Sequence, residues 1–186
     1  MKKNIDEKKI FLKGENIFLK VLNKEDVLLS SWYGWFNDEK LCETLQKHYY
    51  PNSIENQLEY LNFLNNSKEI IQLGICQNDS EKIIGVISLS NINYLSRKAE
   101  LSIVIGESDE RSPKIFIESC NLIFKHAFLT LNLNRIYGGS FSKNVVELLC
   151  RTLGCKKEGI AKEDAFKNGK YNDVYKYAIL KKDFKI

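Results

Sequence analysis

The most regular run of apolar positions lies at residues 99–128. Residues 99–106 (AELSIVIG) are β-branched and alternate or run apolar, which predicts a strand. A polar turn, GESDER, follows. Ser112 and Pro113 then open a helix. Serine caps free N–H groups with its hydroxyl, and proline at the first helical position gives up only an N–H that would be unbonded anyway. Ile115, Ile117, Leu122, Ile123, Ala127 and Phe128 give this helix a broad apolar side. A strand that delivers its end to a helix N-terminus creates a seat for an anion, because the first-turn N–H groups are free and the dipole is positive there.

Elsewhere the pattern predicts strands and helices in a definite order. Residues 1–14 are a polar arm whose apolar patch at 10–12 predicts a frayed lead-in or a short edge strand. Residues 15–22 read as a strand. Asn23 then caps a helix over 24–36, with acidic residues in its first turn and Gly34 as the expected break. Trp32, Trp35 and Phe36 recur there at helical spacing. Residues 37–44 predict a second short helical piece. Ser53 caps a helix whose apolar face is Ile54, Leu58, Leu61 and either Phe63 or Leu64. Residues 70–77, 83–92 and 99–106, joined by short turns, predict an antiparallel meander. The step from 99–106 through the helix to a strand at 135–141 is a βαβ unit with a right-handed crossing. KNVVELLCRTLG is a short helix with Val145, Leu148 or Leu149, and Leu153 inward, stopping at Gly154. Two strands, 155–165 and 171–182, close the chain around the hairpin signal Asn168-Gly169. The order β-α-α-β-β-β-α-β-α-β-β predicts an α+β fold, a mixed sheet with one βαβ crossover.

Composition narrows the function classes. The chain has 186 residues, 44% hydrophobic and 28% charged, enough for one domain with a full core. A net charge of +4, with acids spread among the bases and no dense basic run, points away from nucleic acid. No signal peptide and no membrane span is read, so the expected place is the cytoplasm. The five cysteines, Cys42, Cys76, Cys120, Cys150 and Cys155, form no CxxC pair and read as thiols. His48 and His126 do not make a zinc site, and no metal is expected.

Six pieces in order, WFNDEKL, IIGVISLSNI, AELSIVIG, HAFLTLNLNRI, TLGCKKEGI and NGKYNDVYKYAIL, resemble the GNAT superfamily of N-acetyltransferases. The branch is that of ribosomal-protein alanine, polyamine and amino-sugar-nucleotide acetyltransferases. The resemblance covers residues 15–184, and 15–186 are taken as a single domain. It implies a mostly antiparallel mixed sheet with helices on both faces, and acetyl-CoA as cosubstrate. Where the family carries its Q/R-x-x-G-x-G/A cofactor loop, this chain has Arg111, Ser112, Pro113, Lys114, Ile115 and Phe116. The small residues are gone, and Arg111 and Lys114 offer charge instead. In the strand before the loop, the resemblance implies that the backbone of Ile103, Val104 and Ile105 pairs with the pantetheine arm. Counting back from Gly154, Lys143 falls where the family commonly has a cofactor-contacting Asn, with Asn144 one residue off. Cys150 falls where the family often has a Tyr as general acid.

Acetyl transfer to an amine needs a neutral nucleophile, a donor for the oxyanion and two reactants held together. It needs no covalent enzyme intermediate. Glu100 is the candidate base, with pairing to Arg97, Lys98 or Arg135 as the alternative role. The oxyanion donor is expected from the backbone around Val104, and Cys150 is the candidate acid. Trp35, Asn37, His48, Tyr49 and Tyr50, with the final hairpin, are expected to form the acceptor surface. The expected reaction is direct transfer to a primary amine in a ternary complex, the acceptor an amino-sugar nucleotide or a protein N-terminus. The alternative is a binding or regulatory module that keeps the fold without turnover. A homodimer is compatible with either.

Overall fold

A computed structural model describes residues 7–43, 45–46 and 48–185. Its strands are β1 (Ile10–Lys13), β2 (Ile17–Val21), β3 (Ile71–Gln77), β4 (Ile83–Asn93), β5 (Lys98–Ile105), β6 (Arg135–Ser140), β7 (Lys156–Lys167) and β8 (Lys170–Leu180). The helices are α1 (Lys24–Leu29), α2 (Trp32–Trp35), α3 (Glu39–Cys42), α4 (Ile54–Asn66), α5 (Pro113–Leu129) and α6 (Lys143–Leu153). The strands form one eight-stranded sheet in the order β1-β2-β3-β4-β5-β6-β8-β7. All neighbours are antiparallel except β5 and β6. This is the expected mixed sheet, and the parallel pair is the expected βαβ unit. The patch at 10–12 lies in the edge strand β1; residues 1–6 of the polar lead-in lie outside the described residues.

Each helix begins where a polar side chain can take its orphan N–H groups. Ser112 accepts from the Ile115 N–H, Ser53 from the Asn56 N–H, and Asn23 and Asp26 bond reciprocally at the start of α1. Gly154, at φ +77°, ends α6 in the left-handed region. Asn168 and Gly169, at φ +52° and +75°, make the two-residue turn between β7 and β8.

The period-2 alternation of the strands divides the core into two layers. On one face α5 and α6 bury Ile123, Phe124, Phe128 and Leu149 against Leu19, Ile75, Ile87, Leu101 and Ile136. On the other, α1 to α4 bury Val27, Trp32, Trp35 and Leu61 against Phe18, Cys76, Val86 and Val104. Lys20 and Asp26 form an ion pair at 2.6 Å within this second layer, each less than a tenth exposed.

Two local expectations change and one open choice is settled. The helix predicted over 24–36 is two helices, and the break is at Ser30, not Gly34. Ser30 is extended (ψ 176°), its hydroxyl bonds the Asp26 carbonyl and accepts the Trp32 N–H, and the chain restarts as α2. In α4 it is Leu64 that is buried, while Phe63 is exposed. In α6 the deepest side chains are Val146 and Leu149, with Val145, Leu148 and Leu153 half-buried.

Candidate active site

The sheet has one interruption in its pairing. β5 is paired with β4 along its length, from Lys98 to Ile105. Its pairing with β6 covers only Lys98, Ala99 and Glu100, opposite Arg135, Ile136 and Tyr137. Past Glu100 the two strands diverge. The edge of β5 over residues 101–105 is therefore unpaired on that side, inside the sheet. Backbone groups so placed need water or a ligand as partner.

A cavity of about 580 Å³ occupies this opening. Alternation along β5 sends Leu101, Ile103 and Ile105 toward α5 and α6, and Glu100, Ser102 and Val104 toward α1 to α4. The cavity thus opens onto both faces of the sheet. At one end are Arg111, Ser112, Pro113 and Phe116, from the start of α5. The far wall is Gly139, Ser140, Phe141, Val145 and Leu148. Leu41, Leu45, Gln46, Asp164, Val174, Lys176 and Tyr177 complete the lining.

Glu100 lies at the vertex of the opening, half-buried, and its Oε2 accepts from Asn91 Nδ2 at 2.9 Å. The basic partners expected for it are otherwise engaged. Arg135 pairs with Glu158 at 2.5 Å, Arg97 bonds Asn132, and Lys98 Nζ lies over the Tyr137 ring, 5.8 Å from its centre. Tyr177 is 4% exposed and reaches the cavity from β8. Its hydroxyl lies beside Gly138, where an added Cβ would come within 2.6 Å of it. Among the described residues it makes no hydrogen bond. Burial pushes its pKa well above the usual phenol value of 10, so the hydroxyl stays protonated.

Near the start of α5 the anion seat is partly furnished by the protein itself. Pro113 has no N–H, Ser112 Oγ takes the Ile115 N–H at 3.3 Å, and the Phe116 N–H bonds the Ser112 carbonyl. Arg111 donates to the Ile105 and Gly106 carbonyls, both at 3.2 Å, which fixes its guanidinium at the end of β5. Lys114 turns away and bonds Asn16 Oδ1 at 2.7 Å. Ile115 is buried in the main core, and only Phe116 of this pair lines the cavity. The unpaired edge of β5 nevertheless fits an extended arm bearing amide groups, and Arg111 adds a cation at its outer end.

The remaining candidates fall elsewhere. Cys150 packs against the main core and is absent from the cavity lining; burial raises its thiol pKa. Lys143 and Asn144 are exposed in the first turn of α6, and Lys143 lies 3.7 Å from Glu147. Trp35 is a core residue, its indole packed flat on Gly106. Asn37 exchanges two hydrogen bonds with the Asn52 backbone, both 2.7 Å, and so closes the loop between α2 and α4. His48 Nδ1 meets the Phe36 carbonyl. The Tyr49 hydroxyl donates to the Phe166 carbonyl at 3.0 Å, and Tyr50 is 86% exposed. None of these five lines the cavity. The segment's contribution is Leu41, Leu45 and Gln46, and the hairpin's is Asp164, Val174, Lys176 and Tyr177. For the β8 residues the signal is alternation counted from Asn168-Gly169, which puts Val174 and Lys176 on one face and Tyr175 and Tyr177 on the other.

Among the described residues no group of three His, Cys, Asp or Glu is placed to hold a metal ion, and no helix is long and apolar enough to cross a membrane.

Comparison with known proteins places this geometry. The model of the acetyltransferase (GNAT) domain matches residues 19–175. A spermidine N(1)-acetyltransferase of Vibrio cholerae is 27% identical over 176 residues, 92% of this chain and 91% of that protein. The putative ribosomal N-acetyltransferase YdaF of Bacillus subtilis is 30% identical over 119 residues, 61% of each chain. Among solved structures, that of spermidine N-acetyltransferase from Vibrio cholerae in complex with CoA and spermine superposes with a TM-score of 0.80 at 25% identity. It covers 91% of this chain and 98% of that one. A module without turnover finds no support in these likenesses.

Proposed function

The chain belongs to the acetyltransferase (GNAT) domain family and is an acetyl-CoA-dependent N-acetyltransferase, and from that premise we propose that its acceptor is a small polyamine. The observation that carries this reading is the opening between β5 and β6, which joins the start of α5 to a side where the Glu100 carboxylate faces the cavity and Asp164 is paired with Lys176. The relatives named for spermidine acetylation support the same acceptor class. An amino-sugar nucleotide would bring its own phosphates against the Glu100 carboxylate, which disfavours that acceptor.

In this reading the pantetheine arm lies along the unpaired edge of β5 and the acceptor amine enters from the α1–α4 face. At pH 7 an alkylammonium with a pKa near ~10 is about one part in a thousand neutral, so a proton acceptor is needed. Glu100, at the vertex, takes that proton. The neutral nitrogen attacks the thioester carbonyl, the N–C bond forms, and the C–S bond breaks with its electron pair leaving on sulfur. The second proton, lost from nitrogen as the amide forms, passes to that sulfur so that CoA leaves as its thiol, and Tyr177, protonated and without a partner among the described residues, donates a hydrogen bond to the sulfur as it departs. Backbone N–H groups of β5 face the oxyanion.

The test is calorimetry with acetyl-CoA, followed by thiol release with spermidine, spermine, an amino-sugar nucleotide and a peptide with a free N-terminus. Saturable turnover with the polyamines is expected. Cofactor binding without polyamine turnover would overturn the acceptor, and no binding at millimolar acetyl-CoA would overturn the reading as a whole.

A further inference from the structure

The cavity already contains a primary amine. Lys176 is the one lysine among the described lining residues. It leaves β8 on the same side as Val174 and lies across Gly139 of β6. A Cβ built at Gly139 would come within 3.3 Å of its Cδ and 3.6 Å of its Nζ. Glycine at 139 therefore gives the lysine stem its bed, and the head group ends at the β6 wall of the opening. Gly139 is two residues beyond Tyr137, where the β5–β6 pairing ends, so this wall already faces the diverging part of β5.

The head group is held there. Asp164 Oδ2 accepts from Lys176 Nζ at 2.8 Å, with both side chains more than half covered. Asp164 reaches it from an irregular stretch of β7, where the register with β8 shifts between Ala161 and Ala165 and Glu163 adopts φ +51°. Asp173 pins this bulge by accepting from the Glu163 N–H and from Lys162 Nζ. A bulge of this kind re-aims a side chain, and here it brings a carboxylate to a lysine inside the cavity.

We infer that Lys176 is an internal acetyl acceptor: the enzyme acetylates its own Lys176 from bound acetyl-CoA. The inference rests on the reading of the cavity as the acetyl-transfer site. The step balances without another reactant. Neutral Nζ attacks the thioester carbonyl, the N–C bond forms and the C–S bond breaks. The proton lost from nitrogen passes through solvent or Asp164 to the leaving thiolate, and CoA departs as its thiol. Placement in the same cavity makes the step intramolecular, which raises its rate far above that of a lysine meeting acetyl-CoA in solution. The product cancels the lysine charge and leaves Asp164 an unopposed carboxylate on the acceptor side.

The test uses the full chain and acetyl-CoA without any amine. Acetyl occupancy is followed by peptide mass spectrometry at Lys176 and at the exposed Lys156, Lys162 and Lys170 of the same hairpin, which report ordinary solution chemistry. Lys176 is expected to be modified at least about tenfold faster than these three, at a rate independent of protein concentration, and the excess should vanish in the unfolded chain. Equal rates at the four lysines, or a rate at Lys176 that scales with protein concentration, would overturn the inference. Spermidine turnover with Lys176 left unmodified would overturn it while leaving the polyamine reading intact. Absence of acetyl-CoA binding would overturn both.

Discussion

Glu100 and Tyr137 face each other across the last rung shared by β5 and β6, and the strands part immediately beyond them. A carboxylate at that vertex touches the cavity while its backbone is still held by the ladder. Replacing it by its amide keeps the size and the hydrogen-bonding capacity toward Asn91 but removes the proton acceptor. Glu100→Gln is expected to lower kcat by about 10²–10⁴-fold and to leave acetyl-CoA affinity by calorimetry unchanged. A kcat close to wild type would assign Glu100 a structural role.

Tyr177 and Cys150 separate by the same logic. Tyr177→Phe removes a buried hydroxyl with no partner in the protein, so the fold should not suffer. Loss of its bond to the departing sulfur is expected to lower kcat by about tenfold or more. Cys150→Ala acts outside the cavity and should leave kcat at the wild-type value. Steady-state kinetics on the two variants gives the comparison, and the reverse pattern would restore the thiol as the proton donor.

Gly106 is required by Trp35. Any Cβ at this position would come within 2.1 Å of the indole ring, and Trp35 is itself only 4% exposed. Gly106→Ala should cost about 2 kcal/mol through overpacking, which for a chain of this length lowers Tm by about 4–8 °C. Differential scanning calorimetry measures it. The same displacement shifts the end of β5, so acetyl-CoA affinity should fall as well.

The Lys20–Asp26 pair predicts strong coupling. Each side chain is almost fully buried, and Lys20 Nζ also donates to the Glu81 carbonyl. Lys20→Met or Asp26→Asn alone leaves the other partner without its counterpart, at a cost of about 3–5 kcal/mol. The double variant should be less destabilised than the sum of the singles, as read by urea unfolding in a double-mutant cycle.

Glu118 makes stability depend on pH. Burial alone would raise its pKa, but the backbone and side-chain N–H groups of Asn16 outweigh that and hold it below the usual 4.5. A carboxyl with a lowered folded-state pKa adds stability that is complete above its unfolded pKa. That stability is lost as the pH falls through the folded value. Glu118→Gln should therefore flatten the loss of stability below pH 4.5, seen in urea midpoints across the acid range.

Much of the architecture is legible because its signals are local. Ser112-Pro113, Ser53, Gly154 and Asn168-Gly169 act within one turn of chain, and each stands where the pattern places it. Trp35, Asn37 and His48 read differently in the fold because their neighbours are distant or belong to their own loop: Gly106, Asn52 and Phe36 absorb them. The cavity wall has the opposite problem. Asp164 reaches it only through a register shift in β7, where the four-residue step from Ala161 to Ala165 stands opposite the two-residue step from Val174 to Asn172. No spacing in the sequence announces that shift. Gly138-Gly139 was the nearest hint, since glycines inside a strand mark close approach, here of Tyr177 and of Lys176.

The short contact between β5 and β6 also divides the sheet mechanically. β1 to β5 form one leaf and β6, β8 and β7 another, joined by three rungs where neighbouring strand pairs have up to eight. A molecule lying in the gap would bond to both leaves at once and act as the missing rungs. Occupancy would then stiffen the middle of the protein, far from any loop, and the two leaves would breathe against each other only when it had left.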